Sequence, residues 1–144
     1  MARQYRLGPI RKAINVLTSR MARGGRGPKA LYVLTVRGRT TGEPRSTPVD
    51  VMELDGKRYL VAPYGAVSWV KNARAAGEVE LTRKTTERFA LRELGPEASV
   101  PVLRKYLTEI KVVRPYFDVK PDASDEDFAR IAPDKPVFEL MPNG

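Results

Sequence analysis

Short apolar runs separated by turn signals recur along the chain after residue 30, and this pattern restricts the folds open to it. Each run has five to eight residues and is rich in β-branched or aromatic side chains, as β-strands are. Short antiparallel strands joined by tight turns such as Asp55-Gly56 tend to close, because closure removes exposed edges. We therefore predict a mainly β fold of the α+β class, a small barrel with helices outside. The predicted strands are residues 31–36, 49–54, 57–62, 78–83, 87–94 and 136–140.

An amphipathic helix is predicted over residues 9–23. Its apolar side chains are four, three and four positions apart, on one side, and basic side chains occupy much of the rest. The simpler interpretation is a helix packed on the domain with a solvated basic face. The alternative is peripheral contact with a membrane surface. Gly24 to Lys29 then forms a short flexible linker.

The chain of 144 residues is predicted to be one domain. Residues 1–29 supply the first helix and linker, and residues 30–144 form the barrel with inserted helices. Those helices are predicted to begin near Ser68, Ser99 and Ser124. The sequence contains no apolar run of membrane-spanning length, no signal-type apolar core and no cysteine. These features fit a cytoplasmic protein, membrane-associated on the inner face if the first helix binds lipid.

The absence of histidine and cysteine limits the chemistry that the side chains can perform. Ser-His and Cys-His catalytic pairs are excluded, and a zinc site would need carboxylates alone, so we predict no metal site. If the chain is an enzyme, its reactive atoms are expected to belong to a bound cofactor. The net charge of +9, from 26 basic and 17 acidic residues, favours an anionic partner. Nucleic acid, an acidic membrane and a phosphorylated small molecule all fit that charge.

Residues 38–49 carry the densest set of groups that could bind an anion. Two glycines, two prolines, two arginines and four hydroxyl side chains occupy ten of these twelve positions. Glycine allows a tight turn, and arginine supplies forked donors to phosphate or carboxylate oxygens. The stretch therefore predicts an anion-binding loop between two strands. The simpler alternative is a basic hairpin turn with solvated side chains.

A second dense stretch covers residues 62–74, where a turn leads into a predicted helix. The free N–H groups and dipole of a helix N-terminus attract anions. Lys71 and Arg74 lie one turn apart on this helix, and Trp69, the only tryptophan, lies at its start. An aromatic ring beside an anion site would suit a ligand made of a ring and a phosphate. Alternatively, Trp69 is a core residue and the two cations form a solvated face.

Together the two stretches resemble the motifs of the deazaflavin-dependent nitroreductase and quinone reductase family. Residues 36–49 are similar to the family signature, and residues 61–72 to its second motif. Residues 114–118 and 136–140 resemble its C-terminal pattern, so the resemblance extends from about residue 10 to the end. It implies a split β-barrel of the FMN-binding type. It also implies an oxidoreductase that passes hydride from reduced coenzyme F-420 to a quinone, an activated alkene (enone) or a nitro compound.

The resemblance also implies which residues form the site. The first motif would hold the cofactor phosphate, acidic tail and one side of the ring, and the second motif would close the site. Tyr116 and Tyr64, or solvent, are the candidates for delivering a proton to the reduced acceptor. The implied cofactor-binding residues are Arg39, Thr40, Thr41, Arg45, Thr47, Pro48, Ala62, Pro63, Tyr64, Gly65, Trp69, Lys71 and Asn72.

Two other functions fit the same sequence. One is a reductase of the same barrel type that uses FMN, whose phosphate would occupy the same loop. The other is a non-enzymatic basic module that binds nucleic acid or an anionic surface. No nucleic acid is expected as a partner, because the strands lack a regular platform of aromatic residues interleaved with cations. The sequence leaves open the small-molecule acceptor and the oligomeric state, including a homodimer.

Overall fold

The computed structural model describes residues 30–143, which form a six-stranded barrel with three α-helices outside it. The predicted helix over residues 9–23 and the linker after it lie outside this range. Two 3-10 helices, Lys111–Tyr116 and Ala132–Asp134, complete the described elements. In chain order the strands and α-helices are β1 (Leu31–Arg37), β2 (Pro44–Leu54), β3 (Lys57–Val61), α1 (Ser68–Ala76), β4 (Glu78–Arg83), β5 (Thr85–Glu93), α2 (Pro96–Glu109), α3 (Asp125–Ile131) and β6 (Val137–Pro142).

The six strands close in the order β1-β2-β3-β6-β5-β4, with every neighbouring pair antiparallel. Each described strand therefore has a hydrogen-bonded neighbour on both sides, which satisfies its backbone groups. The last strand, β6, lies between β3 and β5. The predicted antiparallel barrel with outer helices is confirmed.

Strand β2 begins earlier than the sequence pattern indicates, at Pro44 and not at residue 49. The cause is its long pairing with β1, which runs from Leu31 opposite Asp50 to Arg37 opposite Pro44. The prolines suggested a turn, but proline is tolerated in a strand where its missing N–H is not needed. Half of the predicted anion loop therefore lies on a strand, which fixes the positions of its side chains.

Two apolar clusters lie on the two faces of the barrel wall. The barrel interior contains Leu34, Leu60, Leu81, Phe89 and Phe138, all nearly inaccessible to solvent. The second cluster lies between the outer wall and the helices, and it includes Met52, Leu103, Leu107, Phe128 and Val137. Because side chains alternate along a strand, β2 contributes to both clusters. The outer helices are thereby fixed against β2 and β3.

The helices begin where local caps allow them to. Helix α2 starts at Pro96, before the predicted Ser99, because proline suits the first helical turn and Gly95 is the N-cap. The hydroxyl of Ser99 donates instead to the carbonyl of Gly95, at 2.8 Å. Ser124 caps α3 as predicted, its Oγ accepting from the N–H of Asp127 at 3.1 Å. Within residues 30–143, every helix is too short or too polar to cross a bilayer.

Candidate functional site

A cleft of about 970 Å³ lies on the outer wall of the barrel, where the β1–β2 turn, β2, the N-terminus of α1 and helix α2 meet. Its volume is within the range of pockets that hold small molecules and cofactors. Arginine, lysine and hydroxyl side chains line one part of the cleft. Valine, proline and aromatic side chains line the rest. The cleft is therefore suited to a ligand with a charged part and an apolar part.

The β1–β2 turn is held tightly by its own backbone. The N–H of Gly38 donates to the carbonyl of Glu43 at 2.8 Å, and the N–H of Gly42 to the carbonyl of Gly38 at 2.9 Å. Gly42 has φ +78°, a left-handed conformation that favours glycine. A Cβ on Gly38 would lie 3.1 Å from the Glu43 carbonyl oxygen. The two glycines of the motif are thus explained by the shape of the turn, which places Arg39 and Thr40 on the cleft.

Asn72 joins this turn to helix α1. Its Oδ1 accepts from the backbone N–H of Arg39 at 3.0 Å and from Nη1 of the same residue at 2.8 Å. The Asn72 side chain is buried, so the two bonds are shielded from competing water. The guanidinium of Arg39 keeps further N–H donors for a ligand. Asn72 therefore orients Arg39 of the β1–β2 turn.

The N-terminus of α1 also faces the cleft. Its N-cap is Val67, not the predicted Ser68, and in the described structure no side chain caps this end. The carbonyl of Val67 accepts from the N–H groups of Val70 and Lys71, but the first N–H groups of a helix have no partner within it. Trp69, half-buried at this end, packs against Phe138 with ring centroids 6.0 Å apart. The helix thus offers partial positive charge beside an aromatic surface.

Most of the predicted site residues meet in this one cleft. Those that line it are Arg39, Thr40, Thr41, Arg45, Thr47, Pro48, Pro63, Tyr64, Trp69, Lys71 and Asn72. Ala62, Gly65 and Tyr116 do not line it. Ala62 is fully buried, Gly65 lies beside the Asp134 carbonyl, and Tyr116 contacts the Tyr64 ring edge-on at 4.8 Å between centroids. For these three residues, direct contact with a ligand stays a prediction.

Arg74 does not line the cleft, although it lies one turn from Lys71, which does. The Arg74 guanidinium makes two parallel bonds to the carboxylate of Glu93 on β5, at 2.9 and 2.7 Å. Such a bidentate pair directs the side chain toward the barrel and away from the anion-binding turn. Lys71 alone contributes a cationic side chain from α1 to the cleft lining.

The structure adds residues that the sequence motifs did not indicate. Asp50 on β2, Tyr106 on α2 and Val112 and Val113 on the following 3-10 helix line the apolar part of the cleft. Burial raises the pKa of Asp50. Burial, followed by the charges of Asp50 and Tyr64, raises the pKa of Tyr106 well above its usual range. The sequence does contain one signal for Asp50. It follows Pro48, a predicted site residue, by two positions, so the two side chains lie on the same face of β2.

Lys135 supports the turn that carries Pro63 and Tyr64. Its Nζ donates to the carbonyl of Pro63 at 2.8 Å and lies 4.9 Å from the centre of the Phe117 ring. Burial lowers the pKa of this lysine. Across residues 30–143, no cluster of acidic side chains could hold a metal ion.

A closed antiparallel barrel with a cationic and aromatic cleft on its outer wall defines a split-barrel protein. The chain belongs to the F420H(2)-dependent quinone reductase family, whose sequence model matches residues 11–120. The family assignment confirms the predicted resemblance. The protein is therefore an oxidoreductase whose cofactor is coenzyme F-420.

Solved structures share the fold of this chain. A protein of unknown function from Agrobacterium tumefaciens is 15% identical with a TM-score of 0.60, over 92% of this chain and 55% of its own. This chain thus spans about half the length of that protein. A domain-swapped dimer is 19% identical with a TM-score of 0.59, over 92% of this chain and 96% of its own.

A third similar structure is described as an F420-H2 dependent reductase. It is 19% identical with a TM-score of 0.51, over 78% of this chain and 95% of its own. At these identities the likeness shows the fold. None of the curated proteins matches the sequence significantly.

Proposed function

We propose that the cleft binds coenzyme F-420 with its phosphate and acidic tail at the β1–β2 turn. We further propose that it holds an organic acceptor, a quinone, enone or nitro compound, at the apolar end. The observation that carries this proposal is the cleft itself, which joins an arginine fixed by Asn72 to a wall of apolar and aromatic side chains. A hydride transfer needs both ligands to be held side by side, because the reacting atoms must be in contact.

The cationic end fits the anionic part of the cofactor. Arg39, Arg45 and Lys71 line it, with the hydroxyls of Thr40 and Thr41 beside them. Each charge-assisted hydrogen bond contributes about 1.5–3 kcal/mol, so two or three such contacts would supply a large part of the binding free energy. The uncapped N-terminus of α1 adds to this potential.

The middle of the cleft fits the deazaflavin ring. Thr47, Pro48 and Val49 of β2 offer a strand surface, and Trp69 stands at the start of α1. When bound, the reduced deazaflavin supplies the hydride. The residues of this chain hold the ring, exclude water and leave room for the acceptor beside Tyr64 and Tyr106.

A binding titration tests the cofactor assignment. Oxidised F-420 is added to the purified protein while its fluorescence is recorded, and FMN is titrated in parallel. We expect saturable binding of F-420 at micromolar concentrations and weaker binding of FMN. Tight FMN binding without F-420 binding would contradict the proposal. The complex with reduced F-420 is then mixed with quinones, enones and nitroaromatic compounds to identify the acceptor class.

We propose further that the chain forms a homodimer. The support is the fold shared with a structure described as a domain-swapped dimer. Light scattering after size-exclusion chromatography measures the mass directly, and a mass near 16.1 kDa would contradict the dimer.

A further inference from the structure

Asp50 is the carboxylate at the apolar end of the cleft. It lies on β2 opposite Leu31 of β1, two residues after Pro48 and two before Met52 on the outer face of the strand. Among residues 30–143, the Asp50 side chain has no hydrogen-bond or ion-pair partner. A half-buried carboxyl group without a partner is costly unless a ligand or a proton meets it.

The surroundings of Asp50 separate it from the cations of the cleft wall. Arg39, Arg45 and Lys71 belong to the β1–β2 turn, the start of β2 and helix α1, where the phosphate is expected. At the other end, the titratable groups that line the cleft are Tyr64 from the turn after β3 and Tyr106 from α2. The 3-10 helix contributes only apolar side chains there.

Strand β1 presents Leu31 beside Asp50. The carbonyl of Leu31 accepts from Nη1 of Arg83 at 2.8 Å. This bond gives Arg83 a partner on β1. Among residues 30–143, the titratable side chains that line this end of the cleft are thus those of Asp50, Tyr64 and Tyr106.

We propose that Asp50 donates the proton that accompanies hydride delivery to the acceptor; this inference rests on the proposed function. The acceptor receives two electrons and one hydrogen as hydride from the reduced cofactor, which becomes oxidised. The oxygen anion formed on the acceptor takes the carboxyl proton of Asp50. The O–H bond of the Asp50 carboxyl group breaks, and an O–H bond forms on the acceptor. The Asp50 carboxylate then recovers a proton from solvent.

The physical chemistry of the three groups favours Asp50 over the tyrosines. A general acid works best when its pKa is near the working pH. Burial raises the pKa of Asp50 toward that range but raises the pKa of Tyr106 away from it. Ring ligands filling the cleft would remove more water from Asp50 and raise its pKa further. In a chain without histidine, this carboxyl group is suited to the proton transfer.

The first test is Asp50→Asn, with Glu53→Gln as the matched control on the exposed side of the same strand. Asparagine keeps the shape but cannot give up a proton. We expect an unchanged Kd for F-420 and a kcat with a quinone lowered about 100-fold, as for the loss of a general acid. The wild-type kcat should fall as pH rises through the pKa of Asp50 in the loaded complex. Asp50→Asn should lose that step, and Glu53→Gln should keep it.

The second test needs no turnover. Carboxyl-carbon NMR of the protein without cofactor, compared with Asp50→Asn, gives the titration of Asp50 directly. We expect a pKa above the ordinary aspartate value that rises again when an oxidised quinone is added. Asp50→Glu should retain the step in the pH profile, and it replaces Asp50→Asn in the kinetic test if that variant does not fold.

The outcomes separate this inference from the proposed function. If the wild type does not bind F-420, the proposed function is wrong. If it binds F-420 and Asp50→Asn keeps the wild-type rate and pH profile, only the inference is wrong. Loss of F-420 binding in Asp50→Asn would also overturn it, because Asp50 would then be a cofactor-binding residue.

Discussion

Asn72 shows how one buried amide can hold an arginine of an otherwise exposed turn in place. Its Oδ1 holds both the backbone and the guanidinium of Arg39, and its own position is fixed by the first turns of α1. Without that contact, Arg39 would be a long side chain with several rotamers, and each ligand contact would have to overcome its conformational entropy. Positioning by Asn72 reduces that cost before the ligand arrives.

Asn72→Ala should weaken F-420 binding and lower stability together. The variant removes the acceptor for two Arg39 donors, and the loss of a buried hydrogen-bond partner costs about 1–3 kcal/mol. We expect a Kd for F-420 raised about tenfold, which is about 1.4 kcal/mol, with a lower unfolding midpoint in urea. Asn143→Ala is the control, because that side-chain amide donates to the carboxylate of Glu78 in an exposed hydrogen bond. Equal Kd values for Asn72→Ala and the wild type would contradict the role.

Arg45→Ala should affect the ligand without affecting the fold. Arg45 is exposed, lies at the start of β2 and lines the cleft. The loss of one charge-assisted contact costs about 1.5–3 kcal/mol, so the Kd for F-420 should rise roughly 10- to 100-fold. The control is Arg88→Ala, an exposed arginine of β5 that does not line this cleft. A Kd that is the same in all three proteins would remove Arg45 from the site.

At the scale of elements, β6 lies between β3 and β5, and a side-chain ion pair links it to β5. Glu139 on β6 is largely buried and accepts from Nη2 of Arg92 on β5 at 2.5 Å. The hydrogen bond from Arg92, and then its charge, lower the pKa of Glu139. The pair therefore joins the last strand to β5 through a charge-assisted hydrogen bond.

Glu139→Gln should remove part of the acid sensitivity of the fold. A carboxylate with a lowered folded-state pKa stabilises the protein above its ordinary value of 4.5, and this stabilisation is lost as pH falls through the folded-state pKa. The difference in unfolding free energy between the wild type and Glu139→Gln should thus be largest near neutral pH and shrink in acid. Urea unfolding over a pH series measures it. Glu87→Gln, an exposed partner of Arg58, should show a smaller change.

The elements also show what the sequence could and could not predict. Each strand could be predicted from the sequence because its apolar residues, such as Leu81 and Phe89, follow a local pattern. The start of β2 at Pro44 could not be predicted, because pairing with β1 overrides the local turn signal of proline. The position of β6 beside β3 depends on contacts between residues about eighty positions apart, such as Leu60 with Phe138, which no local pattern encodes.

The same limit applies to the site. Arg39 and Asn72 were predicted because each belongs to a recognisable motif, and the fold brings the two motifs into direct contact. Asp50 and Tyr106 belong to no motif. They line one end of the cleft together because α2 packs on the outer face of β2, so this end of the cleft depends on tertiary packing.

At the scale of the whole molecule, the net charge of +9 is compatible with both nucleic acid and a phosphorylated small molecule, and thermal unfolding separates these two ligands. A ligand that binds only the folded state at 100 times its Kd stabilises it by about 2.7 kcal/mol. For a domain of this size, F-420 should then raise Tm by roughly 5–10 °C. At that same F-420 concentration, Arg45→Ala should show a smaller rise. Duplex DNA should give little stabilisation, and any effect should vanish between about 50 and 200 mM salt. A larger rise with DNA than with F-420 would identify the basic surface as a nucleic-acid site.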